Sequence, residues 1–241
     1  MSELTANTVL ARLHALQSDE ELKKYQRYFK FGEGEYAHGD RFIGVRMGHV
    51  FNLAKEMIAL PPAEIERLME SDIHEARAAA MSIMAKQYAA KKTTPERRQQ
   101  LFDLYVRRHD RINNWDLVDL AAYHVIGPHL VDRPRDILYR LARSDSMWER
   151  RTAILATFAF IRRGEFADTF AIAEQLMDDP EDLIHKATGW MLRSIPDRAA
   201  LSAFLDQHAA RMPRVMLRNA IEHYAPDDRA RHLAMGKTKR A

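Results

Sequence analysis

Hydrophobic residues recur along this chain every three to four positions, the period of an α-helix with one face against a core. The clearest stripe lies in an alanine-rich run of high helix propensity and comprises Ala76, Ala79, Ala80, Ile83, Met84 and Tyr88. Other stripes cover residues 9–16, 50–58, 95–108, 114–126, 134–143, 147–163, 165–177, 180–195, 199–210 and 213–224. No segment alternates with the period of two expected for a β-strand, so the pattern predicts an all-α fold.

Proline and glycine separate these stripes and predict short connections. Breaks are expected at Pro61-Pro62, Pro95, Gly127-Pro128, Asp179-Pro180, Pro196 and Pro213. Helix pairs then recur about every 35 to 45 residues, a spacing typical of helical-repeat proteins. The sequence therefore predicts a curved solenoid of antiparallel helix pairs with a concave binding face. We expect one domain over residues 1–235, followed by a basic tail at 236–241.

The segment from 29 to 45, hereafter the glycine-rich segment, departs from the helical pattern. It holds four of the nine glycines in the chain. We expect a structured loop between two early helices. It does not predict a phosphate-binding loop, because no strand precedes it and no Gly-Lys-Ser/Thr follows.

Composition narrows the class of protein. Hydrophobic residues make up 46% and charged residues 29% of the 241 positions, a balance typical of a globular protein with a sizeable core. The absence of cysteine excludes disulfides, thiolate nucleophiles and zinc–thiolate sites. Without an apolar leader or a run long enough to span a bilayer, the expected location is the cytoplasm and no membrane partner is predicted.

Positive charge is concentrated in one part of the chain. The formal net charge is only +3, but residues 133–163 carry eight arginines against three acids, a net +5. The planar guanidinium suits phosphate, which favours a nucleic acid as partner. A solvated helix surface would give the same composition and stays open as an alternative.

The stretch from Asn113 to Asp119 carries the strongest candidate chemistry. Trp115 and Asp119 are four residues apart, a spacing that places both side chains on one face of a helix. Asn113 and Asn114 are good N-cap residues, so this helix is expected to begin beside the pair. An indole face and a carboxylate together attract a cationic group, although a core tryptophan and a capping aspartate remain the alternative reading.

Two further stretches stand out, at residues 148–155 and 185–193. The first opens with Trp148 and contains Arg150 and Arg151 inside the arginine-rich part of the chain. The second contains Gly189 and Trp190. Glycine within a helix costs about 1 kcal/mol relative to alanine, so close packing against Gly189 is expected.

Other types of site are disfavoured. The histidines show no His-x3-His or His-Glu-x2-His spacing, so no metal is predicted. His74-Glu75, close to Arg77, indicates an ordinary helix start rather than a site.

Taken together, these motifs resemble those of AlkD-like DNA glycosylases in the DNA alkylation repair family. The resemblance rests on Trp-Asp-x-Val-Asp at 115–119, Arg-Arg-Thr-Ala-Ile-Leu at 150–155 and Lys-Ala-x-Gly-Trp-x-Leu-Arg at 186–193. The glycine-rich motif at 32–45 also looks like that of many members. The match extends over nearly the whole chain. Many members have a second tryptophan directly before the first, where this chain has Asn114.

The resemblance implies a curved stack of HEAT-like repeats that binds duplex DNA on a basic concave face. It implies excision of positively charged alkylpurines, such as 3-methyladenine and 7-methylguanine, without base flipping and without a cofactor, by a monomer. Asp119, Trp115 and Trp190 would then be catalytic. The DNA-binding residues would be Arg151, Arg150, Lys186 and Arg193.

Two other functions stay open at this stage. A non-catalytic member of the same fold would bind damaged or branched DNA through the same arginines but release no base. A helical-repeat scaffold would bind only protein and leave the arginine-rich segment without a role.

Overall fold

The computed structural model describes residues 4–25 and 27–235. Over these residues the chain is helical, and its β-structure is limited to one isolated parallel bridge between Arg41 and Ile73. The predicted all-α class is confirmed. The chain divides after His129 into two compact units. The solenoid arrangement, and its description as one domain, stay predictions.

Over its described residues, the first unit contains eight α-helices. These are α1 (Ala6–Ala15), α2 (Asp19–Tyr25), α3 (Met47–Glu56), α4 (Pro62–Met69), α5 (His74–Ala89), α6 (Pro95–Arg107), α7 (Trp115–Ala121) and α8 (Gly127–His129). A 3₁₀ turn at His109–Arg111 precedes α7, and a π-helical turn at Ala122–Ile126 joins α7 to α8.

The second unit, over its described residues, contains another eight helices. These are α9 (Asp136–Leu141), α10 (Met147–Ala156), α11 (Phe158–Ile161), α12 (Ala167–Gln175), α13 (Asp182–Arg193), α14 (Arg198–His208), α15 (Arg214–Ala220) and α16 (Pro226–Met235). The predicted basic tail at 236–241 lies outside the described residues. No helix in the described part of the chain is both long and apolar enough to cross a membrane.

Helix α5 forms the centre of the first unit. It packs against α3, α4 and α7, and nearly all of its side chains are buried. The run of alanines explains this, because small side chains allow neighbouring helices to approach from several directions. The buried polar residues at its start, His74, Glu75 and Arg77, are therefore inside the core and need partners there.

The starts of α4 and α6 follow the predicted proline signals. Thr94 accepts a hydrogen bond from the Arg97 amide, and Pro95 occupies the first turn of α6. Pro61 and Pro62 likewise stand at the start of α4, but no side chain caps that helix. The N–H groups of the first helical turn have no acceptor within the helix. A proline, which has no N–H, therefore costs little there.

The boundary predicted at Gly127-Pro128 lies where α8 begins, directly after the π-helical turn. Helical structure nevertheless continues across it, from Trp115 to His129. Proline fits at this position because it stands in the first turn of α8. The stripe at 147–163 is instead divided at Thr157, whose hydroxyl donates to the Ile154 carbonyl at 2.7 Å.

Helices α2, α4 and α16 were not predicted. Helix α2 buries no residue, and His232 is the buried residue of α16, so neither shows an apolar stripe. Helix α4 is short, but it buries Ile65, Leu68 and Met69 on one face, so its stripe is present in the sequence and was missed. Hydrophobic periodicity cannot indicate helices such as α2 and α16.

The expected close packing at Gly189 is confirmed. Helices α13 and α15 pack against each other there, and a Cβ on Gly189 would lie 2.5 Å from the Met216 carbonyl oxygen and 2.6 Å from Asn219 Cβ. Only glycine allows the two helices to approach this closely.

Candidate active site

Trp115 and Asp119 both line a pocket of about 350 Å³ in the first unit. The prediction that they share a helix face is therefore confirmed. The lining residues are Tyr25, Tyr28, Phe29, Met47, Phe51, Trp115, Asp116, Asp119, Leu120 and Tyr123. Most are aromatic or apolar, and the charged ones are two carboxylates. Such a pocket suits a flat cationic group.

The start of α7 fixes the position of Trp115. The Asn114 side chain accepts a hydrogen bond from the Trp115 amide at 2.9 Å and donates to Asp40 Oδ2 at 3.3 Å. Asn114 is fully buried. Asn114 thus links the start of α7 to the glycine-rich segment.

Aromatic side chains of the glycine-rich segment form a wall beside Trp115. The ring of Phe29 stacks on the indole, with centroids 5.3 Å apart and planes 19° apart. Phe29 also contacts Phe42 at 4.8 Å and Tyr25 at 5.8 Å. The segment, predicted as a structured loop, is therefore packed against the site.

Backbone hydrogen bonds to Glu75 hold this segment in place. The buried carboxylate accepts hydrogen bonds from the amides of Ile43 (3.1 Å), Gly44 (2.8 Å) and Val45 (3.2 Å). Gly44 has a φ of +74°, and a Cβ there would lie 2.2 Å from the Ser18 carbonyl oxygen. The turn therefore requires glycine at this position.

The second carboxylate of the pocket, Asp116, belongs to a buried polar network. His74 Nε2 lies 2.8 Å from Asp116 Oδ2, and His74 Nδ1 lies 3.4 Å from Asp40 Oδ2. Asp40 also accepts hydrogen bonds from Arg77 and from Asn113, each at 2.7 Å. The network joins the glycine-rich segment, α5 and α7.

Protonation in this network follows from its charges. Burial alone would lower the pKa of His74, but the charge of Asp116 and hydrogen bonds to Asp116 and Asp40 outweigh it and raise that pKa to about 9. Burial alone would raise the pKa of Asp40, but the hydrogen bond with His74 and the charge of Arg77 lower it. At neutral pH, His74 is therefore an imidazolium between two carboxylates.

The local sequence does not indicate this network, since His74-Glu75 alone predicts an ordinary helix start. Both residues do stand at the start of α5, but their side chains connect distant segments. The partners of His74 are 34 and 42 positions away along the chain. The signal available in the sequence was a group of polar residues at the edge of an apolar stripe, namely His74, Glu75 and Arg77.

Tyr123 lies one helical turn beyond Asp119 on the pocket wall. Burial and then the negative charge of Asp119 raise the pKa of its phenol. The two side chains are therefore close enough to interact electrostatically, and the phenol stays protonated at neutral pH.

The predicted residues of the second unit lie on α10 and α13, which pack together. Arg151 is buried and donates to the Leu183 carbonyl at 2.7 Å. Arg150 binds Asp179 through Nε at 2.6 Å and also donates to the carbonyl groups of Ser144 and Asp145. Both arginines thus stabilise the packing of this unit.

Lys186, Trp190 and Arg193 follow one another on α13 at intervals of four and three residues. Lys186 is exposed, Trp190 is half-buried, and Arg193 forms an ion pair with Glu222. This spacing places the three side chains on one face of α13.

Acids outside the arginine-rich segment neutralise part of its charge. Arg135 binds Glu165 and Asp168, and Arg150 binds Asp179. None of these three acids belongs to residues 133–163. The net +5 of the segment therefore overstates the positive charge available to a partner, whereas Arg140, Arg143 and Arg162 are exposed.

Comparison with known proteins identifies the family. A family model described as DNA alkylation repair enzyme matches residues 9–224. The chain belongs to this family. The resemblance stated from the motifs is thereby confirmed, and membership in the DNA alkylation repair enzyme family assigns the chain to DNA repair. A search of curated proteins found no match.

The family match covers both units and every residue of the aromatic and acidic pocket. It also includes the Asp40–His74–Asp116 network and helices α10 and α13 of the second unit. Within the described residues, no three His, Asp or Glu side chains form a group that could hold a metal ion.

Proposed function

We propose that this protein is a monofunctional DNA glycosylase that excises cationic N3- and N7-alkylated purines, such as 3-methyladenine and 7-methylguanine, from duplex DNA. The observation that supports it best is the pocket that contains Trp115 and Asp119, in a chain of the DNA alkylation repair enzyme family. Its charged lining residues are carboxylates, and its walls are aromatic. A cationic ring or sugar is the ligand that such a lining attracts.

The proposed reaction needs no cofactor. The bond between C1′ of the deoxyribose and N9 of the purine breaks, and its electron pair neutralises the positive purine, which leaves as the free base. Water adds to C1′ and loses a proton, which leaves an abasic site. Because the base is already cationic, the main task of the protein is to stabilise positive charge that develops on the sugar.

Asp119 and Trp115 are the proposed groups for this task. A carboxylate beside the sugar lowers the energy of the oxocarbenium-like transition state, and an indole face adds to this effect. Asp119 can also orient the attacking water as a general base. This mechanism requires no insertion of the base into a deep pocket, so we propose that the base stays in the stack, unlike in base-flipping enzymes.

Contacts with the DNA backbone are proposed for the second unit, in a HEAT-like arrangement of helix pairs. Lys186 is the exposed cation among the predicted residues, and we propose that it binds a phosphate. Three of the proposed DNA-binding residues also bind groups within the protein: Arg150, Arg151 and Arg193. We propose that they contact phosphates and also stabilise the packing of α10 and α13. Trp190 is the proposed second indole near the lesion.

The decisive experiment measures base release from a duplex with one 7-methylguanine. Wild type should release the base, and Asp119→Asn should lower the rate by roughly 10²–10³-fold, as for the loss of one group that stabilises transition-state charge. Asp103→Asn is a matched control, since Asp103 is exposed on α6 outside the pocket. Its rate should equal that of wild type.

Three results would oppose the proposal. Equal rates for wild type and Asp119→Asn would reject the role of the carboxylate. No release of 7-methylguanine or 3-methyladenine, with tight binding of the duplex, would instead support a non-catalytic protein that binds damaged or branched DNA. A comparison of intact with branched duplexes would then define that function. Undetectable binding at low salt would favour a protein scaffold.

A further inference from the structure

Two carboxylates line the pocket, but their surroundings differ. Asp119 is half-buried and lies beside Tyr123. Asp116 is 9% exposed and holds His74 at 2.8 Å. Its other oxygen accepts the Leu117 amide at 2.9 Å. Asp116 therefore has a fixed orientation at the inner side of the pocket.

His74 is itself held from several directions. Its ring stacks on Phe42 with centroids 4.2 Å apart, and Phe29 contacts its edge at 5.4 Å. Asp40 contacts its Nδ1, and Asp40 is in turn bound by Arg77 and Asn113. The side chain is 1% exposed. It cannot reach a ligand, so any functional effect must pass through Asp116.

We infer that His74 is a positioning residue that fixes Asp116 as a second carboxylate of the pocket, so that a cationic group at the pocket, such as the sugar while its bond to the base breaks, faces Asp116 and Asp119 together. The inference deepens the proposed function and rests on it for the identity of the natural ligand. An aspartate held by a charge-assisted hydrogen bond keeps its geometry in an apolar surrounding. Without that bond, the carboxylate would be free to rotate away from the ligand.

The first test uses a pair of small probes that does not depend on base release. 1-Methylnicotinamide is a flat permanent cation, and nicotinamide is its neutral counterpart. Wild type should bind the cation more tightly than the neutral ring, as measured by quenching of tryptophan fluorescence. His74→Phe keeps the ring stack on Phe42 but cannot donate to Asp116. It should weaken binding of the cation about tenfold, the effect of one charge-assisted hydrogen bond, and leave the neutral ring unchanged.

Further variants distinguish a positioning role of His74 from an effect on the folding of the protein. His74→Gln can still donate one hydrogen bond and should recover most of the selectivity for the cation. Asp116→Asn should lose as much selectivity as His74→Phe, and the double variant should lose no more, because both changes remove the same interaction. His223→Phe, at an exposed position in the second unit, is the control and should behave as wild type. Thermal unfolding identifies any variant that fails to fold.

The second test measures release of 7-methylguanine by the same variants, with His74→Phe expected to lower kcat/KM about tenfold. Unchanged selectivity and unchanged kcat/KM in His74→Phe would overturn the inference and leave the proposed function standing. Selective binding of the cation that depends on His74, without base release by wild type, would overturn the proposed function alone. Wild type that neither prefers the cation nor releases base would overturn both.

Discussion

Phe29 stacks on Trp115 with ring planes 19° apart, so the glycine-rich segment forms one wall of the pocket. The stack joins a residue just after α2 to the first residue of α7, more than 80 positions later in the sequence. The pocket therefore depends on the fold of a segment that contributes no catalytic group to the proposed reaction.

Phe29→Ala should destabilise the protein and loosen the pocket. Phe29 is 9% exposed, and truncation of a buried phenylalanine costs about 3–5 kcal/mol. Tyr28→Ala is the matched control, since Tyr28 is 66% exposed and lines the same pocket. Its free energy of unfolding should change by less than about 0.5 kcal/mol. Urea titrations measure both, and equal effects of the two variants would contradict the assigned packing.

Glu75→Gln should release the glycine-rich segment. The amides of residues 43–45 all donate to one oxygen of the carboxylate, Oε1, and the Ile43 amide also reaches Oε2. Glutamine can keep a carbonyl oxygen at Oε1, but it removes the negative charge and places an N–H donor against the Ile43 amide. A loss of about 2–4 kcal/mol of stability is expected from hydrogen bonds to a charged group. Hydrogen exchange at the amides of residues 43–45 should rise more than exchange in α13. Uniform acceleration throughout the chain would indicate general destabilisation instead. Glu70→Gln, at an exposed position, is the control.

Much of this architecture could be predicted from local sequence. Hydrophobic stripes with the 3.6-residue period of an α-helix predict most of the helices. The spacing of Trp115 and Asp119 predicts that they share a helix face, and Gly189 predicts a close approach between two helices. Each of these features depends on residues within one helix or on the backbone of a single residue.

Long-range partners could not be predicted in this way. Arg150 pairs with Asp179, 29 residues later, and His74 pairs with Asp116, 42 residues later. Nothing in the spacing of either pair indicates contact, because it is the packing of helices that brings them together. The same limit explains why the charge of the arginine-rich segment was overestimated from composition.

Gly189→Ala should destabilise the second unit although alanine favours helices. The new Cβ would lie 2.5 Å from a backbone oxygen of α15, so the helices must separate, at a cost of about 1–3 kcal/mol. Gly48→Ala is the matched control within α3, since no atom lies within 4 Å of the added Cβ. It should stabilise the protein by about 0.4–1 kcal/mol. Calorimetry that shows the same sign for both variants would reject the close packing.

Replacement of Arg150 by alanine should affect stability, whereas replacement of Lys186 by alanine should affect DNA binding. Arg150→Ala leaves the buried carboxylate of Asp179, 2% exposed, without its cation, which costs about 3–5 kcal/mol of stability. Lys186→Ala should leave stability unchanged but reduce the salt dependence of duplex binding by about one unit of slope. Fluorescence anisotropy over a range of salt concentrations measures the slope. An unchanged slope for Lys186→Ala would remove this residue from the proposed DNA contacts.

The pH dependence of stability should report the charge on His74. Its pKa is raised to about 9 in the folded protein, from 6.5 for the free side chain. The folded state therefore binds the proton more tightly, so this contribution is complete below pH 6.5 and is lost as the pH rises through 9. Asp40 and Asp116 contact the ring, and the pKa of Asp40 is lowered, away from this window. Wild type should lose more stability between pH 6.5 and pH 9.5 than His74→Gln does, as measured by urea midpoints. Parallel curves for the two proteins would show that His74 is neutral in the folded state.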